Sequence, residues 1–252
     1  MSVESFPPAG EQAGADGMTQ LQDMWRRLAA RDRYRPAQDA ADLRNLLASL
    51  GPDETPPDVL ARVWRSLCGD AAVRAGVKAV YVGGGAPDQA LEGARGFFGF
   101  GPAIVPVSEV RDALEHAEET PGALGCLPWP EIPGPGQWWP MLNENRFKAL
   151  SIVGGWPCEP AGDDAACRMA VIARMPVEPS GNDDMLATAH DDSHTAEREL
   201  QEAGFEGKVV ARARSLTLMR LRGFVAPDDP RLDAGRRAGL EGFRIVGVLP
   251  RY

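Results

Sequence analysis

Several features that indicate particular functions are absent from this chain of 252 residues. Its four cysteines show no CxxC spacing, so we expect free thiols in a reducing compartment. The formal net charge is −9, and without a cationic excess we expect no binding to nucleic acid or to an anionic membrane. No apolar run reaches the ~18 residues of a membrane span, and the polar N-terminus does not resemble a signal peptide. These absences predict a cytoplasmic protein.

A glycine run lies in the segment around which the chain is organised, KAVYVGGGAPDQALEGARGFFGFG at residues 78–101. A short apolar run ends at Gly83, Gly84 and Gly85, and a helical pattern follows, which predicts a strand, a turn and a helix. Glycines allow close backbone approach and a helix N-terminus is partly positive, so this turn is a candidate anion-binding site. The alternative is a tight turn without a ligand. Neither a P-loop Lys-Ser/Thr pair nor GxGxxG spacing is present, and we expect no cofactor.

The hydrophobic pattern divides the chain into four parts. Residues 1–17 are polar and rich in Gly, Pro and Ala, which predicts a disordered tail. Residues 18–72 carry three amphipathic helical patterns, which predict a short helical module. Residues 77–160 alternate strands and helices, which predicts a parallel α/β lobe, and residues 168–252 follow the βαββαβ order of a ferredoxin-like domain. The expected fold is therefore α+β and multidomain.

The segment RYRPAQDAADLRNLLASLGPDETPPDVLARVWRSL, residues 33–67, resembles the second and third helices of the all-helical chorismate mutases. That resemblance implies pericyclic chemistry, in which arginines and a lysine hold the two carboxylates of chorismate. At the family's Arg-Glu pair this chain has Gln38 and Asp39, and Asp39 is the catalytic candidate of the segment. The preceding helical pattern, residues 19–31, contains no lysine. We therefore expect weakened or lost mutase activity.

Residues 77–160 resemble one lobe of the prephenate dehydratase catalytic domain, which has a periplasmic-binding-protein-like fold. In that family a glycine-rich turn, a Pro-containing motif and a Thr-Arg-Phe motif surround prephenate. The matching segments here contain the glycine turn, Pro128 and Arg168, while the family's hydroxyl residues are absent. The resemblance implies that Pro128 contacts the ligand and that Arg168, the second catalytic candidate, clamps a carboxylate. The alternative for Arg168 is a solvated side chain at a strand edge.

Residues 168–252 resemble the ACT domain that follows the catalytic domain in prephenate dehydratases, with VIARMPVEPSGNDD at the junction and FRIVGVLPRY at the end. The family's motif that caps bound phenylalanine is replaced by SLTLMRLRGFV. Strand alternation predicts that five basic residues share one face, which fits either an anionic ligand or partner, or a solvated face. These residues are Lys208, Arg212, Arg214, Arg220 and Arg222.

Two residue pairs each have a functional and a structural interpretation. Trp138 and Trp139 fit a pocket for an aromatic ligand, a core or a subunit interface. His190 and His194 are four residues apart, a spacing typical of metal ligands, but no further ligand stands near them in the sequence. We predict a loop and a helix cap there, and no metal site.

Three functions remain open at this point. The first is an enzyme of the route from chorismate to phenylpyruvate with weakened catalysis. The second is a non-catalytic regulator that binds a small aromatic carboxylic acid, namely chorismate, prephenate or phenylalanine. The third is an interaction protein that keeps the fold for assembly. In each case we expect a homodimer.

Overall fold

The structure, a computed structural model, describes residues 19, 22–49, 57–84, 87–130, 137–157 and 167–251. The predicted tail at residues 1–17 and the predicted ligand-binding residue Gly85 lie outside these stretches. Within them, no helix combines the length and the apolar character that a bilayer crossing needs.

The helices of the described stretches follow the periodicity of the sequence. They are α1 (residues 22–29), α2 (Pro36–Ser49), α3 (Pro57–Arg74), α4 (Pro87–Phe98), α5 (Val110–Glu119), α6 (Ala196–Glu202) and α7 (Pro230–Ala238). Four of them begin at a proline, as expected for a residue that is pre-organised for the first helical position: Pro36, Pro57, Pro87 and Pro230.

In the described residues nine strands form one mixed sheet in the order β2-β1-β3-β5-β4-β9-β6-β8-β7. The strands are β1 (Ala79–Val82), β2 (Ala103–Pro106), β3 (Ala123–Pro128), β4 (Ser151–Trp156), β5 (Met169–Ala173), β6 (Asp183–His190), β7 (Gly207–Ala213), β8 (Leu216–Arg222) and β9 (Glu241–Pro250).

The first half of the sheet is only partly parallel. Strand β1 pairs in parallel with β2 and β3, as the sequence predicted, whereas β5 runs antiparallel to both β3 and β4. The sequence pattern places β5 in the C-terminal segment at residues 168–252, yet β5 lies between β3 and β4, two strands of the segment at residues 77–160. Its burial explains this position, because all five of its residues are buried, as expected for a central strand covered on both faces.

The C-terminal half follows the predicted βαββαβ order. Its strands lie in the order β9-β6-β8-β7 with every neighbouring pair antiparallel, which is the split βαβ arrangement. The sequence predicted two separate sheets, but β9 also pairs in parallel with β4 through Ile152 and Gly247. A Cβ atom at position 247 would lie 2.5 Å from the Cβ of Ile152, so the glycine makes the junction possible.

A short segment before β4 departs from the prediction. The apolar pattern at residues 147–153 predicts a strand, but β4 begins only at Ser151. Two 3-10 turns, Trp139–Asn143 and Asn145–Phe147, precede it. Phe147 and Leu150, which precede β4, are buried in the core, so their hydrophobicity reflects core packing rather than strand pairing.

One apolar cluster connects the helical module to the sheet. Trp64 of α3 is almost completely buried in it, and its indole Nε1 donates to the backbone carbonyl of Asp39 at 2.8 Å. Trp138 and Trp139 are buried in the same cluster, which supports the core interpretation of this pair. The helices are therefore packed against the sheet and share a hydrophobic core with it.

Candidate functional site

The candidate site lies at the edge of the sheet where the parallel strands β1 and β3 end. The N–H of Gly83 donates to the carbonyl of Cys126 at 3.2 Å, and the N–H of Trp129 donates to the carbonyl of Arg168 at 2.9 Å. Because β5 is antiparallel to β3, its first residues lie at the same edge as the end of β3. The structure thus brings together the glycine turn, Pro128 and Arg168, and carboxyl ends of parallel strands are common ligand positions.

The glycine turn is closely packed on the side that faces the protein. A Cβ atom at Gly83 would lie 2.8 Å from the carbonyl oxygen of Glu109. Gly84 has φ +120, and a Cβ there would lie 2.7 Å from Cγ of Pro128. Steric fit and backbone conformation therefore explain these two glycines, and Pro128 is the residue that fills the space above the turn.

The helix that packs on this turn does not offer its amide groups to an anion. Glu109 and Asp112 form a capping box at the start of α5, in which the Asp112 carboxylate accepts from the backbone N–H of Glu109 at 3.3 Å. These carboxylates satisfy first-turn N–H groups and place negative charge beside the turn. Positive charge for an acidic ligand must therefore come from elsewhere.

Arg168 is the predicted site residue that can supply this charge. Its backbone is held from two sides, because its N–H donates to the carbonyl of Trp156 at 2.9 Å and its carbonyl accepts from Trp129. Its side chain is exposed. A guanidinium on an ordered backbone at the strand edge is suited to bind a carboxylate through two parallel hydrogen bonds.

The aromatic side chains near this edge are mostly committed to packing. Trp138 is buried and its Nε1 donates to the carbonyl of Pro128 at 2.8 Å, so this hydrogen bond stabilises the end of β3. Trp156 is partly buried and packs edge-on against Phe97 of α4. A Cβ at Gly96 would lie 2.3 Å from the Trp156 Nε1 atom, so this glycine admits the indole ring.

Asp39 occupies a different part of the molecule, the interior of the helical module. Its carboxylate is buried and forms an ion pair with Arg31, which also binds Asp42 at 3.0 Å. Burial lowers the pKa of Arg31, against the opposing effect of Asp42. Both acids lie on α2 three residues apart, and the one guanidinium contacts both of them.

This arrangement limits what Asp39 can do. A buried carboxylate that is paired with a guanidinium is a poor general base, and the guanidinium is engaged rather than available for a substrate carboxylate. The partner Arg31 was not among the sequence-predicted site residues. The signal that could have found it is the pair of acids on one face of α2, which requires a cation once that face is buried.

The five predicted basic residues do not share one face. A β-bulge between Val209 and Ala211 reverses the alternation along β7. Lys208 is paired with Arg220, whereas Arg212 is paired with Thr217 on the other face.

Past the bulge, Arg212 binds the buried carboxylate of Asp191 at 2.6 Å. Arg214 lies in the turn between β7 and β8 with φ +56. The alternation argument was wrong for these two because bulges leave no clear sequence signal.

The histidine pair fits the predicted loop. His190 ends β6 and its Nδ1 lies 3.3 Å from the Ser215 hydroxyl, and His194 adopts φ +56 in the loop before α6. Over the part of the chain that the structure describes, no group of three or more His, Cys, Asp or Glu side chains is arranged to hold a metal ion.

Solved structures similar to this chain include two prephenate dehydratases. The enzyme from Streptococcus mutans is 11% identical, with 69% of this chain and 100% of that chain covered and a TM-score of 0.44. The enzyme from Arthrobacter aurescens in complex with L-Phe is 12% identical, with 68% and 90% covered and a TM-score of 0.47. A third, GqqA, described as a novel type of quorum quenching acylase, is 15% identical, with 69% and 95% covered and a TM-score of 0.46.

No protein-family model matches the chain, and no curated protein matches it. At identities of 11 to 15% the likeness to the solved structures carries no conclusion about what this chain binds or catalyses.

Proposed function

We propose that this protein is a relative of the chorismate mutases and prephenate dehydratases of aromatic amino-acid biosynthesis in which catalysis is weakened or lost. In this proposal it binds a small carboxylic acid of that route, phenylalanine or its precursor prephenate, at the strand edge formed by the glycine turn, Pro128 and Arg168. The observation that carries the proposal is the convergence of these three sequence-predicted positions at one edge of the sheet.

The argument for weakened mutase chemistry rests on charge. A chorismate mutase site needs cations that hold two substrate carboxylates in a restricted geometry. In the helical module the buried cation Arg31 already faces two carboxylates, Asp39 and Asp42. Because its guanidinium already binds these two carboxylates, Arg31 is engaged and does not hold a carboxylate of the substrate.

The argument for binding rests on Arg168. Its guanidinium is exposed while its backbone is fixed by hydrogen bonds to Trp129 and Trp156, so the side chain alone must be ordered when a ligand binds. Loss of a charge-assisted bidentate contact costs about 1.5–3 kcal/mol, which corresponds to a roughly 10- to 100-fold weaker affinity. The carboxylates of Glu109 and Asp112 beside the turn disfavour a second acidic group on the ligand, so phenylalanine, with one carboxylate, is favoured over the dicarboxylate prephenate.

The decisive experiment is an assay of the purified full chain with chorismate and then with prephenate, followed by calorimetric titration with prephenate and with phenylalanine. We expect no turnover of either substrate above background. We also expect binding of at least one ligand that weakens at least tenfold in Arg168→Gln and not in Arg198→Gln, a control on the exposed face of α6.

Two outcomes would contradict the proposal in different ways. Turnover above background would show that catalysis is retained. Equal affinity of Arg168→Gln and the control would remove the binding site from this edge, whatever the activity.

Assembly through the helical module is a second candidate function, since apolar side chains are exposed there. Trp25, Val59, Val63 and Val73 all belong to α1 or α3, and Phe100 at the end of the α4 segment is 92% exposed. We propose that this surface supports a homodimer. Light scattering of the full chain should then give twice the monomer mass, and Val63→Ser should shift the protein towards the monomer; a monomeric native chain would contradict this.

A further inference from the structure

A second concave site lies in the C-terminal half of the sheet, at the end opposite the loop that precedes α6. It is a hollow of about 340 Å³ on the sheet face that carries Arg220. Its lining residues, which we call the arginine pocket, are Asp184, Glu206, Gly207, Lys208, Arg220, Arg222 and Arg251. The site is separate from the strand edge proposed above, because its residues come from β6, β7 and β8, from the connection before β7 and from the residue after β9.

A single buried carboxylate organises the pocket. Arg220 donates from Nε to Oδ2 of Asp184 at 2.5 Å, and Arg251 donates from Nε to the same oxygen at 2.8 Å. The Nη2 groups of the two arginines approach this oxygen as well, at 2.5 and 2.6 Å. Both guanidiniums are thus fixed around one atom, with side chains that are only 11% and 17% exposed.

The second arginine is held along its backbone too. The N–H of Arg251 donates to the carbonyl of Asn182 at 2.8 Å, and its carbonyl accepts from Arg44 of α2 at 3.1 Å. Arg44 also reaches the carbonyl of Ser180. Because these hydrogen bonds already order the backbone of Arg251, this side of the pocket loses little conformational entropy when a ligand binds.

The charge balance of the pocket is opposite to that of the whole protein. Four cationic side chains line it against two carboxylates, in a chain whose net charge is −9. Each guanidinium has five N–H donors, and the contacts with Asp184 use the Nε and Nη2 groups, so donors remain for a second acceptor. Pre-oriented guanidiniums with unused donors are the usual means of binding a planar or tetrahedral oxyanion.

We propose that the arginine pocket binds a small ligand with a dianionic oxyanion group, either a phosphate monoester or a dicarboxylate. Arg220 and Arg251 hold the group from the inner wall, and Lys208, which is paired with Arg220 across β7 and β8, completes the charge from the rim. Glu206 at the rim opposes binding. A volume of about 340 Å³ fits a metabolite rather than a polymer.

The test is a titration of the full chain with inorganic phosphate and with malonate at constant ionic strength, with chloride as the reference, followed by NMR shifts or calorimetry. We expect saturable binding of at least one dianion. Lys208→Gln should weaken it about fivefold because one rim cation is lost, and Glu206→Gln should strengthen it about threefold because one opposing charge is lost. Arg198→Gln, a distant exposed arginine, should leave it unchanged.

The outcomes separate the alternatives. Binding of phosphate alone supports a phosphate monoester as the ligand, and binding of malonate supports a dicarboxylate. The proposal is overturned if neither dianion differs from chloride, or if Lys208→Gln and Arg198→Gln behave alike. Arg168→Gln should leave dianion binding in this pocket intact, so failure of this proposal and failure of the proposed function are distinguishable.

Discussion

Two buried ion networks in this protein have opposite compositions. In the helical module one guanidinium, Arg31, faces the carboxylates of Asp39 and Asp42. In the C-terminal sheet one carboxylate, Asp184, faces the guanidiniums of Arg220 and Arg251. The two differ in which group is shared, and only where two guanidiniums share one carboxylate do guanidinium donors remain for an acidic ligand.

The comparison shows why residue type alone is a weak guide to a site. Asp39 matched the position of a catalytic residue in a resembling family, yet its surroundings make it a structural partner of Arg31. Asp184 ends the junction segment VIARMPVEPSGNDD and was not a site candidate, yet it holds two arginines at the wall of a hollow. In the first network Arg31 binds two carboxylates, whereas in the second two guanidiniums share one carboxylate and keep further N–H donors.

The largest effect is expected from Asp184→Asn. Two mostly buried guanidiniums would lose the carboxylate that both contact, and an uncompensated buried charge costs about 3–5 kcal/mol. Urea unfolding at pH 7 measures this loss. A loss below about 1 kcal/mol would show that the network is solvated and would remove the contrast between the two regions.

Gly84→Ala tests whether Pro128 leaves room for a side chain at the glycine turn. An alanine there meets Pro128 and must adopt φ +120, so overpacking and backbone strain together should cost about 2–4 kcal/mol in unfolding free energy. The matched control is Gly76→Ala, where φ is +99 but no atom lies within 4 Å of the added Cβ. Equal losses in both variants would mean that Pro128 does not restrict the turn.

Asp39→Asn should have a smaller effect than Asp184→Asn. Arg31 would keep Asp42, so only one charge-assisted contact is lost, and the unfolding free energy should fall by about 1.5–3 kcal/mol. Asp23→Asn removes an exposed pair with Arg26 and should change stability by no more than about 0.5 kcal/mol. If Asp39→Asn is as mild as this control, the buried ion pair does not form.

The smallest effect is expected at Asp191, which forms a one-to-one pair with Arg212 and is the neutral reference for both networks. Burial acts to raise the pKa of Asp191, but hydrogen bonds from Arg212 and from the backbone of Thr195 and Ala196 hold it below its usual range. The charged form is therefore favoured by folding, so its contribution is present above the ordinary carboxyl pKa and is lost as the pH falls through the lowered one.

Unfolding free energies at pH 7 and pH 3 measure this contribution. We expect the native chain to lose about 1 kcal/mol more on acidification than Asp191→Asn does, since the variant has no carboxylate to protonate and keeps only part of the helix cap. Identical pH profiles would contradict the assignment of this pair.

Most helices and strands could be predicted from the sequence, because their signals are local. The apolar stripe of α2, the glycine turn after β1 and the βαββαβ order all follow from spacing and turn residues. The site was predictable only in part. Proximity of Arg168 to Pro128 depends on antiparallel pairing of β5 with β3, and no local signal reports which strand will be a neighbour.

By itself, the sequence determined the order and type of the elements, the close packing that its glycines allow and the overall negative charge. The tertiary structure alone decided that the two expected sheets are one, through the contact of Gly247 with Ile152. It also decided that a bulge places Arg212 and Lys208 on opposite faces of β7. Finally, it decided that Asp39 shares one guanidinium with a second carboxylate, whereas Asp184 binds two guanidiniums. The reason is physical: periodicity is set by neighbouring residues, whereas burial and charge balance depend on residues far apart in the chain.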